Sequence, residues 1–183
     1  MLDGPRALSS KQGLTMVVIV MGVTGAGKST IGRMLASRLG WEFRDGDDLH
    51  SEENKRKMHR GEALTDLDRG PWIAAVRGVV EAMISSRVDG VVACSALKKA
   101  YREETVGDSD PGVIRFVYLR GSKELISQRL AGRVGHFMDP QLLQSQFDVL
   151  EEPEVRDAIV VDVAAAPEAI VREIGVRLRN LTP

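Results

Sequence analysis

Residues 22–29 have the types and the spacing of a phosphate-binding loop, or P-loop. They read Gly-Val-Thr-Gly-Ala-Gly-Lys-Ser, which fits the pattern G-x-x-x-x-G-K-[ST]. The glycines let the backbone curl so that its N–H groups face phosphate oxygens, while Lys28 reaches the β- and γ-phosphates and the Ser29 hydroxyl can ligate Mg²⁺. The residues predicted to bind a nucleoside triphosphate are Gly22, Val23, Thr24, Gly25, Ala26, Gly27, Lys28, Ser29 and Thr30.

The segments on both sides of the motif favour this interpretation over a glycine-rich turn that binds nothing. Residues 16–21 form an apolar run rich in β-branched side chains, which predicts a buried strand. After the motif, apolar residues recur at the spacing of one helix face, and Gly40 is placed to end that helix. A helix that starts inside the loop directs the positive end of its dipole at a bound anion.

Two further polar clusters have the chemistry that phosphoryl transfer needs. Asp45 and Asp47 follow a short strand, and we expect Asp45 to hold Mg²⁺ beside Ser29 and Asp47 to orient the acceptor hydroxyl. Lys98, Lys99 and Arg102 form a basic cluster suited to an anionic substrate, although a surface pair on one helix face is the simpler alternative.

A third region predicts a lid over the phosphates, around residues 129–139. Arg129 and Arg133 lie four residues apart on one helix face, and Gly135 and His136 follow them. A glycine-containing loop flanked by arginines is typical of a segment that closes and excludes water. We expect Arg129 to contact the nucleotide and Arg133 to act in catalysis.

Predicted strands alternate with predicted helices, which indicates an α/β fold of three layers with a parallel five-stranded sheet covered by helices on both faces. Helix starts are predicted at Ser51, Pro71, Ser122 and Pro167. The strands are expected within residues 16–21, 41–43, 90–94, 113–119 and 158–161. Since ligands of such sheets bind outside the carboxyl ends of the strands, the polar clusters should converge on one cleft.

Composition restricts the class of protein further. The chain has 183 residues, a net charge of −1 and a single cysteine, Cys94. We therefore expect one P-loop kinase domain over residues 16–183 after a loose polar tail at 1–15, a cytoplasmic setting, and no nucleic-acid or membrane partner.

The alternatives within the triphosphate-binding proteins differ in their motifs. A GTPase switch is disfavoured, because residues 54–57 read Asn-Lys-Arg-Lys and lack the aspartate of the guanine-binding motif. A small-molecule kinase fits better than a motor ATPase, which needs more chain for its partner surfaces. A regulatory module that binds a nucleotide without transferring phosphate stays open, although Lys28 and two cleft aspartates speak against it.

Five blocks of sequence together resemble the gluconokinases, in particular the thermoresistant bacterial type. The blocks are the P-loop, the run Asp-Gly-Asp-Asp-Leu-His at 45–50 with residues 54–72, the run Cys-Ser-Ala-Leu-Lys-Lys at 94–99 with Tyr101 and Arg102, the Arg-x-Gly-His-Phe at 133–137, and residues 145–153. The likeness extends from about residue 17 to about residue 163. It departs from the family pattern at Ser51, where a proline is common.

The resemblance implies ATP-dependent phosphorylation of D-gluconate to 6-phospho-D-gluconate, with Mg²⁺, and usually a homodimer. A related kinase of shikimate or nucleotide type is the alternative, which the block at 94–102 disfavours. His50 and Arg69 enter the site on this basis, while helix entry and local ion pairs are their simpler roles. The residues expected to bind the substrate are Asp47, His50, Arg69, Lys98, Arg102 and His136.

Overall fold

The structure, a computed structural model, describes residues 15–110, 112–132 and 140–181. The strands are β1 (Val17–Met21), β2 (Glu42–Asp45), β3 (Gly90–Ala93), β4 (Ile114–Arg120) and β5 (Ala158–Asp162). The helices are α1 (Lys28–Leu39), α2 (Glu52–His59), α3 (Asp66–Ser85), α4 (Lys99–Val106), α5 (Lys123–Ala131), α6 (Pro140–Asp148) and α7 (Pro167–Leu181). A short 3₁₀ turn, Gly46–Leu49, follows β2.

Within the described residues the five strands form one sheet in the order β2-β3-β1-β4-β5, and every neighbouring pair is parallel. Strand β1, which leads into the P-loop, therefore lies at the centre. Its five residues are fully buried, as expected for a strand covered on both faces. The structure confirms the predicted fold class.

The core lies on both faces of this sheet because alternate side chains of each strand point to opposite sides. On one face Val18 and Val20 pack with residues of α1 and α7. On the other face Val17 and Ile19 pack with α3, including Trp72 and Val76. The sheet thus separates two helical layers, and its carboxyl edge is left to the loops.

Several predicted helix ends are confirmed by their caps. Ser51 accepts the N–H of Asn54 at 3.1 Å, and Ser122 accepts the N–H of Leu125 at 3.2 Å, as N-cap residues do. Gly40 ends α1 in the left-handed conformation, with φ of 72°.

The predicted start of a helix at Pro71 is wrong. Helix α3 begins at Asp66, and Pro71 lies inside it. The earlier start comes from a capping box, in which the Thr65 hydroxyl accepts the N–H of Asp68 and the Asp68 carboxylate accepts the N–H of Thr65. Two orphan N–H groups are satisfied in this way, and the helix starts five residues before the proline.

None of the helices in the described part of the chain has both the length and the apolar composition that a membrane crossing requires.

Candidate active site

The P-loop connects the end of β1 to α1 at the carboxyl edge of the sheet. Gly22 has φ of +143°, and a Cβ at this position would lie 2.9 Å from the carbonyl oxygen of Leu119 on the neighbouring strand. Only glycine fits such a close approach at this φ. Gly27 caps α1 with φ of 96°, so the helix starts at Lys28, inside the motif. The N–H groups that follow Gly27 therefore form the amino end of α1, which is the positive end of the helix dipole and favours a bound anion.

Lys28 is folded back over the loop that carries it. Its Nζ donates to the carbonyl oxygen of Val23 at 3.2 Å, and the residue is only 9% exposed. Ser29 is half-buried in the first turn of α1, and Thr30 beside it is exposed. An ammonium and a hydroxyl are thus held next to the amino end of one helix, as phosphate binding requires.

Asp45 ends β2 at the same level of the sheet as the end of β1. The register aligns Asp45 with Ala93 and Ala93 with Val20, so Asp45 lies two strand spacings, roughly 10 Å, from the strand that feeds the P-loop. Its carboxylate accepts the N–H of Asp47 at 3.2 Å, and its other oxygen lies 4.0 Å from Arg33 on α1. Asp45 therefore faces the beginning of α1.

The turn after β2 fits tightly against the end of β3. A Cβ on Gly46 would lie 2.6 Å from the carbonyl oxygen of Ala93, so this position has no space for a side chain. The Gly46 carbonyl accepts the indole N–H of Trp72 at 2.7 Å. The turn is thereby fixed to both β3 and α3, and Asp47 is exposed on it.

Cys94 shows that the predicted groups converge. This residue directly follows β3 and is fully buried, and burial raises the pKa of its thiol to about 12. The N–H of Ala96 and the charge of Lys28 oppose this increase in pKa, while the charges of Asp47 and Asp45 add to it. Lys28, Asp45 and Asp47 thus all lie close enough to the end of β3 for their charges to act on this thiol.

His50 lies beside this turn but is mostly enclosed. It is 7% exposed, and its ring stacks on Trp72 with 4.3 Å between ring centroids. Burial lowers its pKa, the charge of Asp47 opposes this effect, and the charges of Arg69 and Lys55 add to it. Its Nδ1 atom is buried and has no hydrogen-bond partner among the described residues. The neutral imidazole is therefore favoured, close to Asp47 and Arg69.

A basic pair lies on the side of α3 and α4. Lys98 donates to both carboxylate oxygens of Asp66, at 2.8 and 2.7 Å, and the Tyr101 hydroxyl donates to the same carboxylate. Arg69 and Lys98 lie 6.0 and 5.5 Å from the centre of the Tyr101 ring. The hydrogen bond to Asp66 raises the pKa of Lys98, which keeps it charged. We call Asp47, His50, Arg69 and Lys98 the acceptor side.

Arg102 is not brought to this group. It is 8% exposed, and its Nη1 donates to the carbonyl oxygens of Ala96, Leu97 and Glu151 at 3.2, 3.2 and 2.9 Å. Ala96 has φ of +42°, so these bonds hold a turn that few residues adopt. This placement argues against the predicted substrate contact of Arg102. Its physical role is to hold the turn that presents Lys98.

Only part of the predicted lid at residues 129–139 lies within the described residues. Arg129 lies in the last turn of α5 and donates to the carbonyl oxygen of Val163, just after β5. Gly132 caps this helix, so residues 129–132 of the predicted lid are the end of α5. Arg133 and His136 lie outside the described residues.

A cleft of about 930 Å³ is lined by neither the P-loop nor the acceptor side. It is lined by α4, the loop at 151–157 and the first residues of β4 and β5, and it includes Arg102 and Arg156. Because ligands of open parallel sheets bind at the carboxyl ends of the strands, we do not place the chemistry in this cleft.

Sequence reasoning missed three contacts that shape the site. Gln146 of α6 binds Thr24 of the P-loop. Tyr101 binds Asp66, and the Glu151 carboxylate accepts the N–H of Lys99 at the start of α4. Gln146, Tyr101 and Glu151 all lie in the sequence blocks that resemble the gluconokinases. Their place in these blocks was the available signal, but it assigned them no role.

Comparison with known proteins agrees with this arrangement. Residues 24–175 match the family model described as shikimate kinase. The chain is 45% identical over 159 residues to a probable gluconokinase of Mus musculus, covering 79% of this chain and 86% of that relative. It is 40% identical over 157 residues to the thermoresistant gluconokinase of Escherichia coli K12, covering 85% and 89%. The crystal structure of a gluconokinase from Sinorhizobium meliloti 1021 superposes with a TM-score of 0.83 at 43% identity, covering 92% and 94%.

Proposed function

Because the chain belongs to the gluconokinase family of P-loop kinases, we propose that it transfers the γ-phosphoryl group of ATP to the terminal hydroxyl of D-gluconate. The products are 6-phospho-D-gluconate and ADP. The observation that carries the proposal is the strand register, which aligns Asp45 with Ala93 and Ala93 with Val20 and so brings the carboxylates after β2 to the edge of the sheet where the P-loop and Lys28 begin. An ammonium for the phosphates and carboxylates for a cation and an alcohol are the parts that this transfer needs.

ATP binds along the P-loop, from Gly22 to Thr30. The backbone N–H groups of the loop surround the phosphates, and Lys28 turns from the Val23 carbonyl to the β- and γ-phosphates as they arrive. Arg129 approaches the nucleotide from the end of α5. Arg133, which is proposed from the sequence alone, neutralises charge on the transferring group.

Mg²⁺ fits the oxygen donors that this edge of the sheet presents. Ser29 and Asp45 would hold it together with the phosphates, since Mg²⁺ is commonly bound by one or two carboxylates and substrate phosphates. When bound, the cation neutralises phosphate charge.

The acceptor side holds gluconate. Arg69 and Lys98, which both lie beside the Tyr101 ring, supply positive charge for the carboxylate of the sugar acid. His50 offers its buried Nδ1 to a substrate hydroxyl. Asp47 accepts the hydrogen of the terminal hydroxyl and directs that oxygen at the γ-phosphorus. The new P–O bond then forms as the bond to the ADP oxygen breaks. His136 is an additional substrate contact proposed from the sequence alone.

A cytoplasmic homodimer completes the proposal. The family likeness supports both features, and the single cysteine excludes an internal disulfide. Light scattering during gel filtration measures the mass in solution, and a monomer at micromolar concentration would contradict the dimer.

The function is tested by ADP release from Mg-ATP in the presence of D-gluconate, other sugar acids, shikimate or nucleoside monophosphates. We expect turnover with gluconate. Turnover with shikimate and not with gluconate would support the shikimate-type alternative, which the relatives at 40% identity and above do not favour. No turnover with any acceptor, despite nucleotide binding, would indicate a regulatory module.

A further inference from the structure

The P-loop is bound to a helix far away in the sequence. The Thr24 N–H donates to Oε1 of Gln146 at 2.8 Å, and Nε2 of Gln146 donates to the Thr24 hydroxyl oxygen at 2.9 Å. The two residues are 122 positions apart. One side-chain amide thus holds both the main chain and the side chain of a P-loop residue, and both bonds are partly buried.

Thr24 is a position where the loop needs such support. It lies between Gly22 and Gly25, which have φ of +143° and +82°. Because these values fall outside helix and strand geometry, no regular hydrogen-bond pattern holds the backbone at the two glycines. Loop contacts seen near Thr24 include the N–H of Ala26 and the Nζ of Lys28, which both donate to the Val23 carbonyl at 3.2 Å. The lysine is expected to leave that carbonyl when phosphate binds, whereas the amide of Gln146 need not move.

Helix α6, which carries this amide, is packed against the core. Leu142 and Leu143 are 8% and 2% exposed, and Phe147 packs against the core. The chain after α6 leads to Glu151, whose N–H donates to the Leu97 carbonyl at 2.9 Å and whose carboxylate accepts the Lys99 N–H. One segment therefore connects the P-loop with the turn that presents Lys98.

We propose that Gln146 is a positioning residue for phosphoryl transfer, a role that rests on the proposed function. It fixes Thr24 so that the N–H groups of the following P-loop residues already point at the phosphate site before ATP binds, while the Thr24 N–H itself stays bonded to Gln146. Gln146 acts through the loop and contacts no reacting atom. Preorganised donors bind and stabilise charge without a reorganisation cost, so loosening the loop weakens both nucleotide binding and transfer.

The test compares Gln146→Met with the matched control Gln144→Met. Gln144 lies on the same helix, and its amide binds Asp148 instead of the P-loop. We expect Gln146→Met to weaken binding of a non-hydrolysable ATP analogue about tenfold by calorimetry and to raise the KM for ATP similarly, because one to two net hydrogen bonds are lost. The KM for gluconate should change less than twofold, and Gln144→Met should resemble the parent.

A second variant keeps the proposal testable if Gln146→Met unfolds. Thr24→Val removes one of the two bonds and should weaken analogue binding about threefold. A lower melting temperature with unchanged analogue affinity in Gln146→Met and Thr24→Val would overturn the proposal and make the contact purely structural. Because binding of the analogue needs no acceptor, this outcome is distinct from failure of the parent enzyme to phosphorylate gluconate.

Discussion

The P-loop and the acceptor side are held by contacts of different range. In the P-loop, Ala26 and Lys28 bond to Val23, three and five positions away. On the acceptor side, Lys98 bonds to Asp66 across 32 positions, and Trp72 bonds to Gly46 across 26. A short motif therefore encodes the shape of the nucleotide site, whereas the substrate site depends on how α3, α4 and the turn after β2 pack. Two contacts add long-range support to the P-loop: the bonds between Gln146 and Thr24, and the bond from the Gly22 N–H to the Ser95 carbonyl at 3.3 Å.

Lys28→Ala should have the largest effect, because it removes the ammonium that the local motif places on the phosphates. We expect kcat/KM with gluconate to fall about a thousandfold while the circular dichroism spectrum stays unchanged. The control is Lys99→Ala, which removes an exposed lysine of α4. Near-normal turnover in Lys28→Ala would show that the motif does not carry the chemistry.

Asp47→Asn tests the acceptor side at the point nearest the chemistry. It keeps the shape of the side chain but removes the carboxylate that orients the alcohol. We expect kcat to fall about a hundredfold with unchanged affinity for an ATP analogue. Asp48→Asn changes the neighbouring exposed aspartate of the same turn and should have little effect. A defect confined to nucleotide binding would move Asp47 to the phosphate side.

Lys98 and Arg102 provide a sharper comparison, since they have similar chemistry but different surroundings. Lys98→Met should raise the KM for gluconate about tenfold, because the substrate carboxylate loses the positive charge of Lys98. The melting temperature should stay nearly unchanged.

Arg102→Met should instead destabilise the fold by about 2 kcal/mol, because two buried carbonyls and one partly buried carbonyl lose their donor. Urea unfolding and steady-state kinetics measure both variants. The reverse pattern, with Arg102 affecting KM and Lys98 affecting stability, would contradict the structural assignment.

The comparison of Lys98 with Arg102 also shows how much of the structure the sequence predicts. The strands, the P-loop and the caps at Ser51 and Ser122 were predictable because each depends on residues close together in the chain. The start of α3 differs from the predicted one because the capping box of Thr65 and Asp68 begins the helix upstream of the proline at 71, which the first turns of the helix accommodate. The direction of the Arg102 side chain and the reach of Gln146 depend on tertiary packing, which residue type alone does not specify.

The smallest expected effect concerns the contact between α2 and α3. The hydrogen bond from Lys57, followed by those from Thr65, lowers the pKa of Asp68 from 3.8 to about 2. Because the folded state binds this proton more weakly, the carboxylate stabilises the fold above pH 3.8, and that contribution is lost as the pH falls toward about 2.

Urea unfolding at a series of pH values checks this sign. Between about pH 4 and pH 2, the free energy of unfolding should fall more in the parent than in Asp68→Asn. Near neutral pH, it should change with pH to the same extent in both proteins. Parallel curves for the two proteins over that range would contradict the assigned ion pair with Lys57.

In the proposed reaction, P-loop amides and Lys28 deliver a phosphoryl group to an alcohol held by Asp47, Arg69 and Lys98. The most direct measurement is ³¹P and ¹³C NMR of a mixture of the protein, Mg-ATP and D-gluconate. We predict one new phosphomonoester signal, with phosphorus coupling to C6 of the sugar acid and an equal amount of ADP. Release of inorganic phosphate without an ester, or an ester at a different carbon, would contradict this account.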